Sequence, residues 1–234
     1  MINAQFFFMC LKTAIANIPT NLILSAATFV ISIVLGALMA MARVYKVPVL
    51  KRIIPVLLAL GKALPTNLVL LVTLIIYTNN FKAITEFFGL DVSIKDVSLN
   101  YMAIVALVIC ELPAISEVIR SGLISVKTGQ YEAGYSIGLT KAQTFFVIIL
   151  PQVIKVIIPP LTNEILVLFK TTALVSVVGV LDIMNSAYVA AGAAYCYLEA
   201  YLAASLVFWA IGFLIEVFSR KVEFYFSVGR KVIA

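Results

Sequence analysis

Five long apolar stretches constrain this chain more than any other feature of its sequence. A helix needs about 20 apolar residues to cross the hydrocarbon of a bilayer. The chain is 63% hydrophobic and 12% charged, whereas soluble domains average about 45–50% apolar and about 25% charged residues. We therefore predict an all-α, polytopic membrane protein, with residues 1–234 forming one transmembrane domain. The five predicted spans are residues 18–42, 64–78, 99–119, 157–184 and 197–218.

The positive charges gather at alternate ends of these spans. Because cytoplasmic loops carry an excess of Lys and Arg, this pattern predicts that the N-terminus is outside and the C-terminus is cytoplasmic. No basic region precedes the first apolar run, so we predict no cleavable signal, and residues 4–11 are expected to lie in the membrane interface. The positive residues that follow the first, third and fifth spans are Arg43, Lys46, Lys51, Arg52 and Lys62; Arg120, Lys127, Lys141 and Lys155; and Arg220, Lys221, Arg230 and Lys231.

Several kinds of chemistry are excluded by composition. The chain has no histidine, which excludes a Ser-His-Asp triad and His-ligated metal sites. Cys10, Cys110 and Cys196 have no CxxC spacing, and we interpret them as packing thiols, with a Cys10–Cys196 disulfide as the alternative. No GxxxxGK[ST] motif is present, so the chain cannot cradle ATP phosphates by a P-loop. Energy for any transport must come from another subunit or from an ion gradient.

The loop between the third and fourth spans has the pattern of two short helices. Thr128 can cap the first helix, and Gly138 can end it in a left-handed conformation. Thr140 opens the second helix in a capping box with Gln143, and Pro151 is expected to end or kink it. The apolar face predicted for the second helix consists of Ala142, Phe145, Phe146, Ile149 and Leu150.

The first of these helices is expected to present Tyr131, Glu132 and Tyr135 outward. A rigid knob of this kind is suited to docking a soluble partner. Spacing alone leaves open the alternative of an ordinary interfacial loop helix.

A family resemblance favours the docking interpretation. Glu132-Ala133-Gly134, then Gly138, then Ile148-Ile149-Leu150-Pro151 resembles the EAA signature of ABC importer permeases. The longer stretch "SVKTGQYEAGYSIGLT…LPQ…PPLTNEILVLFKTTALVSVVGV" resembles the polar amino-acid permease family. The resemblance implies that the first helix is the coupling helix, which sits in a cleft of the ATP-binding subunit. The coupling residues that it implies are Tyr131, Glu132, Ala133, Gly134, Tyr135 and Gly138.

The same resemblance implies the partners. We expect a second permease chain, identical or homologous, two ATPase subunits that bind ATP and magnesium, and an extracytoplasmic substrate-binding protein in a bacterial inner membrane. The chain itself is expected to hold no cofactor and no metal and to catalyse no reaction. It departs from the usual family pattern at Gly134, where a second alanine is common and the change is expected to be mild. Further departures are Lys127-Thr128, "GKALPTN" before the second span, Glu111 and Thr171-Thr172-Ala173.

Charged residues within the spans mark the candidate substrate pathway, because ionisable groups in hydrocarbon are costly and usually functional. Glu164 and Thr171 are seven residues apart and share a helix face. Lys170 needs a partner of its own, and Glu111 is interpreted as a second acid or as its counter-ion. The alternative is that these charges only lock helices together. The predicted pathway residues are Asn163, Glu164, Lys170, Thr171, Thr172 and Glu111.

Three further acids receive structural interpretations. Glu117 and Arg120 are expected to form a structural ion pair or to anchor the loop. Asp182 and Glu199 are expected to be solvated span ends, with contact to a substrate-delivery protein as the alternative.

The sequence thus predicts a permease subunit of an ATP-driven importer for polar amino acids. A proton-coupled secondary transporter, with Glu111 and Glu164 carrying protons, is the alternative, although no inverted repeat is visible. A membrane scaffold would not explain Lys170 and Glu164 within a span. Which amino acid is carried, and whether the second permease chain is identical, stay open.

Overall fold

A computed structural model describes residues 3–89, 91–192 and 194–227 of the chain. Within these ranges the regular structure is helical and contains no strand. Ten helices are α1 (Ala4–Ala16), α2 (Ile18–Val44), α3 (Leu50–Ala63), α4 (Thr66–Phe87), α5 (Leu99–Ser125), α6 (Thr128–Ser136), α7 (Lys141–Gln143), α8 (Leu150–Thr171), α9 (Ile183–Gly192) and α10 (Tyr197–Ser227). Two 3₁₀ segments, Ile94–Asp96 and Thr172–Val178, and one π-helical segment, Thr144–Ile149, complete the described structure.

Within the described residues, five helical segments are long and apolar enough to cross a membrane, as the sequence predicts. Their bounds differ from the predicted ones at all but the starts of the third and fifth segments. The residues expected in the interface belong to α1, which is separated from α2 only by Asn17. The second segment continues to Phe87, and the fourth stops at Val178 because Gly179 takes a left-handed φ of 84°. The five segments are Ala4–Val44, Thr66–Phe87, Leu99–Ser125, Lys141–Val178 and Tyr197–Phe226.

The chain divides into two compact units. The first comprises Met1–Ile31, Ala63–Glu111 and Val167–Leu214. Its apolar core includes Leu24, Leu70, Leu107 and Val175, which are fully or almost fully buried. Apolar side chains from α2, α4, α5 and the 3₁₀ segment after α8 therefore share one core.

A buried polar network also belongs to the first unit. The Asn21 amide donates to Thr172 Oγ1 at 2.9 Å and to Asp182 Oδ2 at 3.2 Å, and its oxygen accepts from the Ile183 N–H at 2.9 Å. Asp182 Oδ1 accepts from the Asn185 N–H at 2.8 Å, so the carboxylate caps the first turn of α9. Asn21, Thr172 and Asp182 are all fully buried.

The prediction that Asp182 and Glu199 are solvated span ends is wrong. Both are buried, Asp182 in the network just described and Glu199 as acceptor from the Asn3 N–H at 2.9 Å. Burial raises the pKa of Asp182, and the hydrogen bonds from Asn185 and Asn21 oppose that rise. Each carboxylate is retained because it satisfies a backbone N–H near a helix start, a role that composition does not reveal.

The second unit comprises Ser32–Lys62, Leu112–Leu166 and Ile215–Ala234. Glu117 lies between two arginines in this unit. It accepts from Arg43 Nη1 at 2.9 Å and from Arg120 Nε at 3.0 Å, with a further contact to Arg120 Nη2. The predicted Glu117–Arg120 pair is confirmed, and Arg43 extends it to a second helix. Because Arg43 is at the end of α2 and the other two residues belong to α5, the cluster ties two spans together.

The three cysteines are free thiols. Cys10 is buried and the other two are partly buried. This agrees with their interpretation as packing residues.

Candidate coupling and translocation site

The helix α6 forms where the sequence predicts the first loop helix, with its start displaced by one residue. Lys127 is the N-cap and makes no side-chain capping bond, so Thr128 is the first helical residue rather than the cap. The end is as predicted, because Gly138 takes a φ of 84°, a conformation that costs residues with a Cβ about 1–2 kcal/mol. The Gly138 N–H donates to the Tyr135 carbonyl at 3.0 Å, which closes the helix end.

The second loop helix opens with the predicted capping box. Thr140 Oγ1 accepts from the Gln143 N–H at 3.3 Å, and Gln143 Oε1 accepts from the Thr140 N–H at 2.9 Å. Two N–H groups that a helix start leaves without partners are satisfied in this way.

A π-helical turn follows this start and corrects two predictions. Pro151 does not end the helix, since α8 runs from Leu150 to Thr171, and the alternative that it kinks the helix stays a prediction. The wider π turn before Pro151 leaves room for a ring that would otherwise clash with the preceding turn. The turn also changes which residues face inward, because it shifts the helical register. Ile149 is fully buried, as predicted, whereas Phe146 is 64% exposed.

Gly134 is the buried residue of α6 and faces the start of the second helix. A Cβ at this position would lie 2.6 Å from Thr144 Cγ2 and 2.8 Å from Thr144 Oγ1. An alanine methyl would therefore require the Thr144 side chain to move, which argues against the expectation that the change from alanine is mild. The reason is the threonine side chain ten residues later, which fills the space that the alanine methyl would occupy.

The polar side of α6 is exposed on the protein surface. Glu132 and Ala133 are exposed, whereas Tyr131 is half-buried and lines a cavity of about 400 Å³ that Tyr135 and Tyr45 also line. Tyr131 and Tyr135 therefore face this cavity as well as the surface. Partial burial, followed by interaction with the Tyr131 phenol, raises the pKa of Tyr45 to about 12. The other residues that line this cavity are Met41, Lys141, Ala142 and Phe145.

The predicted pathway residues of the second unit lie on α8. Asn163 is exposed and Glu164 is half-buried. The Lys62 ammonium, near the end of α3, interacts electrostatically with the Glu164 carboxylate. Pro159 and Pro160 lie inside α8, so they neither start the helix nor end it.

The predicted pathway residues of the first unit have contrasting surroundings. Glu111 is buried on α5, and Thr172 is buried in the network with Asn21, donating to the Phe169 carbonyl at 2.6 Å. Thr171 is half-buried and donates to the Val167 carbonyl at 2.9 Å. Lys170 is exposed, and it forms no ion pair with any residue that the structure describes. Lys170 and Glu111 are therefore not joined by an ion pair in the described structure, and the counter-ion interpretation is not confirmed.

Sequence reasoning missed two residues that organise these regions. Asn21 joins three segments of the first unit, and Tyr45 lines the cavity beside α6. A signal for Asn21 was present, because an amide in a span without charges usually forms hydrogen bonds across helices. Tyr45 carries no such signal, since its partners are about 90 residues away in the sequence.

The five spans and the capped loop helix fit the membrane-spanning subunit of a transporter. The chain belongs to the family described as "Binding-protein-dependent transport system inner membrane component", whose sequence profile matches residues 32–225. It is a multi-pass permease subunit of the ABC transporters of the inner membrane. The proton-coupled alternative is not favoured.

Two relatives from Bacillus subtilis (strain 168) are similar over most of the chain. The L-cystine transport system permease protein TcyL is 31% identical over 90% of this chain and 86% of its own length. The probable glutamine ABC transporter permease protein GlnP is 31% identical over 84% of this chain and 85% of its own length.

Solved structures share the fold. A crystal structure of an amino acid ABC transporter with histidines aligns with a TM-score of 0.74 at 25% identity, covering 91% of this chain and 93% of that chain. An inward-facing MetNI methionine ABC transporter aligns with a TM-score of 0.65 at 17% identity, covering 94% of this chain and 99% of that chain. The second likeness concerns the fold alone.

Proposed function

We propose that this chain forms the translocation pathway of an ATP-driven importer for polar amino acids, together with a second permease chain. The relatives named for L-cystine and glutamine transport support the substrate class. Both of those molecules carry a carboxylate and an ammonium group. Lys170 and Glu164 offer the opposite charges, and Asn163 and Thr171 offer hydrogen bonds along the same helix.

The exposure of Lys170 supports a pathway with one side that this chain does not cover by itself. A charged side chain at the centre of a span costs about 2.5–3.5 kcal/mol in insertion experiments. Facing water or a second chain removes that cost, whereas facing lipid does not. The second permease chain, identical or homologous, would cover this face and complete the pathway.

The exposed polar side of α6 carries the proposal for coupling. Glu132 and Ala133 face outward, while Gly134 fixes the opposite side against Thr144. The Gly138 turn and the capping box at Thr140 fix the connection between α6 and α7. A short helix held in this way transmits force because its contacts resist rotation. An ATPase subunit would bind it on the cytoplasmic side and would hold the ATP and magnesium, while a binding protein would deliver substrate outside. The chain itself would catalyse no reaction.

The test is co-purification of the ATPase subunit from native membranes in mild detergent, comparing wild type with Glu132→Arg. We expect the substitution to abolish co-purification, because it places a bulky cation where a carboxylate meets the partner. The matched control is Glu86→Arg, an equal charge change at an exposed position of α4. The control should keep the ATPase subunit. Equal retention by wild type and Glu132→Arg would contradict coupling through this helix.

A further inference from the structure

A basic cleft in the second unit is not used by the proposed transport function. Four cations line it, and its volume is about 380 Å³, within the size range of small-molecule sites. The cationic residues are Arg43, Lys46, Lys51 and Arg120, and the apolar residues beside them are Val44, Pro55 and Ile124.

The charges of this cleft are not balanced within the chain. Glu117 pairs with both Arg43 and Arg120. Lys46 and Lys51 form no ion pair with any of the described residues. Among the described residues, one carboxylate thus pairs with two of the four cations, and the two lysines have no ion-pair partner. Lys51 also lies in the first turn of α3, where the helix dipole disfavours a cation and no acidic residue offsets it.

The position of the cleft along the membrane normal follows from the helices that form it. Arg43 and Val44 end α2, and Arg120 and Ile124 belong to the last turns of α5. Both helices are candidate spans whose apolar segments stop here. The cleft therefore lies where the hydrocarbon meets the headgroup region, on the face that the charge pattern predicts to be cytoplasmic.

An apolar surface continues from the cleft along α3. Ile53, Val56, Leu57 and Leu60 are 46%, 59%, 52% and 59% exposed. Acyl chains are suited to cover such a surface, and a soluble anion is not. Basic pockets between helices at the cytoplasmic side of a membrane are typical binding sites for anionic lipid headgroups.

We propose that this cleft binds the headgroup of an anionic membrane phospholipid. The phosphate would lie among Lys46, Lys51 and the two arginines, whose guanidinium groups also hold Glu117. The glycerol and upper acyl region would contact Val44, Pro55 and Ile124. The inference does not depend on which substrate the transporter carries.

The experiment is native mass spectrometry of the full-length protein after exposure to vesicles of phosphatidylglycerol or of phosphatidylcholine. Wild type should retain phosphatidylglycerol in preference to phosphatidylcholine. The variant Lys46→Gln with Lys51→Gln should lose about thirtyfold in phosphatidylglycerol affinity, because each lysine near an anionic surface adds a similar favourable increment. The two arginines stay unchanged, so the Glu117 cluster is kept.

The matched control is Arg52→Gln with Lys155→Gln. Both residues are exposed and neither lines the cleft, so the net charge changes equally while lipid affinity should stay within about twofold. Lys46→Arg with Lys51→Arg should also retain the lipid, since both residue types bind phosphate. If the double glutamine variant fails to fold, Lys46→Gln alone should still lose about fivefold.

Three results would overturn the proposal. Equal losses in the control and the cleft variant would mean that general surface charge attracts the lipid. Displacement of phosphatidylglycerol by inorganic phosphate would identify a soluble anion as the ligand. If the double glutamine variant lost a co-purifying protein subunit but retained phosphatidylglycerol as wild type does, the cleft would be a protein interface.

Discussion

The helices α6 and α9 both connect spans, yet they are held in opposite ways. In α9, Ile183 and Ser186 are buried, and the helix start is capped by Asp182 within a network of buried side chains. In α6, Gly134 is the buried residue, and the polar side is exposed. The contrast indicates that α9 is fixed by contacts inside its own unit. The helix α6 keeps one side available for another protein.

The largest effect should come from breaking the network that fixes α9. Asn21→Ala should lower the free energy of unfolding by about 3 kcal/mol, because it leaves the buried Ile183 N–H without its acceptor and removes the Asn21 hydrogen bonds to Thr172 and Asp182. Asn80→Ala is the control, since that exposed amide bonds only the Ile76 carbonyl at 2.9 Å among the described residues. Denaturant unfolding in mild detergent measures both variants. Similar losses for the two would mean that the network contributes little.

On the α6 side, the packing of Gly134 gives the next largest effect. Gly134→Ala should destabilise the protein by about 1–3 kcal/mol through overpacking against Thr144. Thr144→Ala removes the two nearest atoms that the new Cβ would meet and leaves Ile148 Cδ1 at 3.2 Å, and the Thr144 hydroxyl makes no hydrogen bond to the described residues. The double variant should therefore recover most of the loss in a thermal-stability measurement. Additive losses would show that the close approach is not the cause.

Substitutions at two glycines of this loop test backbone conformation separately from side-chain packing. Neither Gly129 nor Gly138 has another residue within 4 Å of an added Cβ, and only Gly138 has a positive φ. Gly138→Ala should cost about 1–2 kcal/mol, whereas Gly129→Ala should stabilise α6 by up to about 1 kcal/mol. Unfolding of both variants in one detergent gives the comparison. Shifts of the same sign would contradict the left-handed turn.

The smallest effect concerns the cavity beside α6. The pKa of Tyr45 is raised to about 12 from an ordinary value of 10.0. The contribution of the neutral Tyr45 phenol to the free energy of unfolding is therefore fully present below pH 10, and it is lost as the pH rises toward about 12. Tyr45→Phe should flatten this fall by under about 1 kcal/mol, since the side chain is 50% exposed. A tyrosinate absorption titration that shows the Tyr45 component near pH 10 would exclude the shift.

Sequence predicted the features that depend on local pattern. The five spans, the left-handed Gly138, the capping box and the Glu117–Arg120 pair each follow from residues close together in the chain. The features that it missed depend on distant residues or on register. Thr144 occupies the space beside Gly134, and Asn21 donates a hydrogen bond to the buried Asp182. A π turn allows the helix to continue past Pro151. Hydrophobic periodicity assumes an unbroken α-helix, so it cannot show where one additional residue is accommodated.

The π-helical turn at Thr144–Ile149 has a consequence for how this loop tolerates insertions and deletions. A π turn contains one residue more than the α-helical turn that it replaces. Deleting one residue there would convert the turn to an α-helical one and keep the faces of α7 and α8 in their present relative orientation. Relatives with an uninterrupted α-helix at this position are therefore expected to be one residue shorter here.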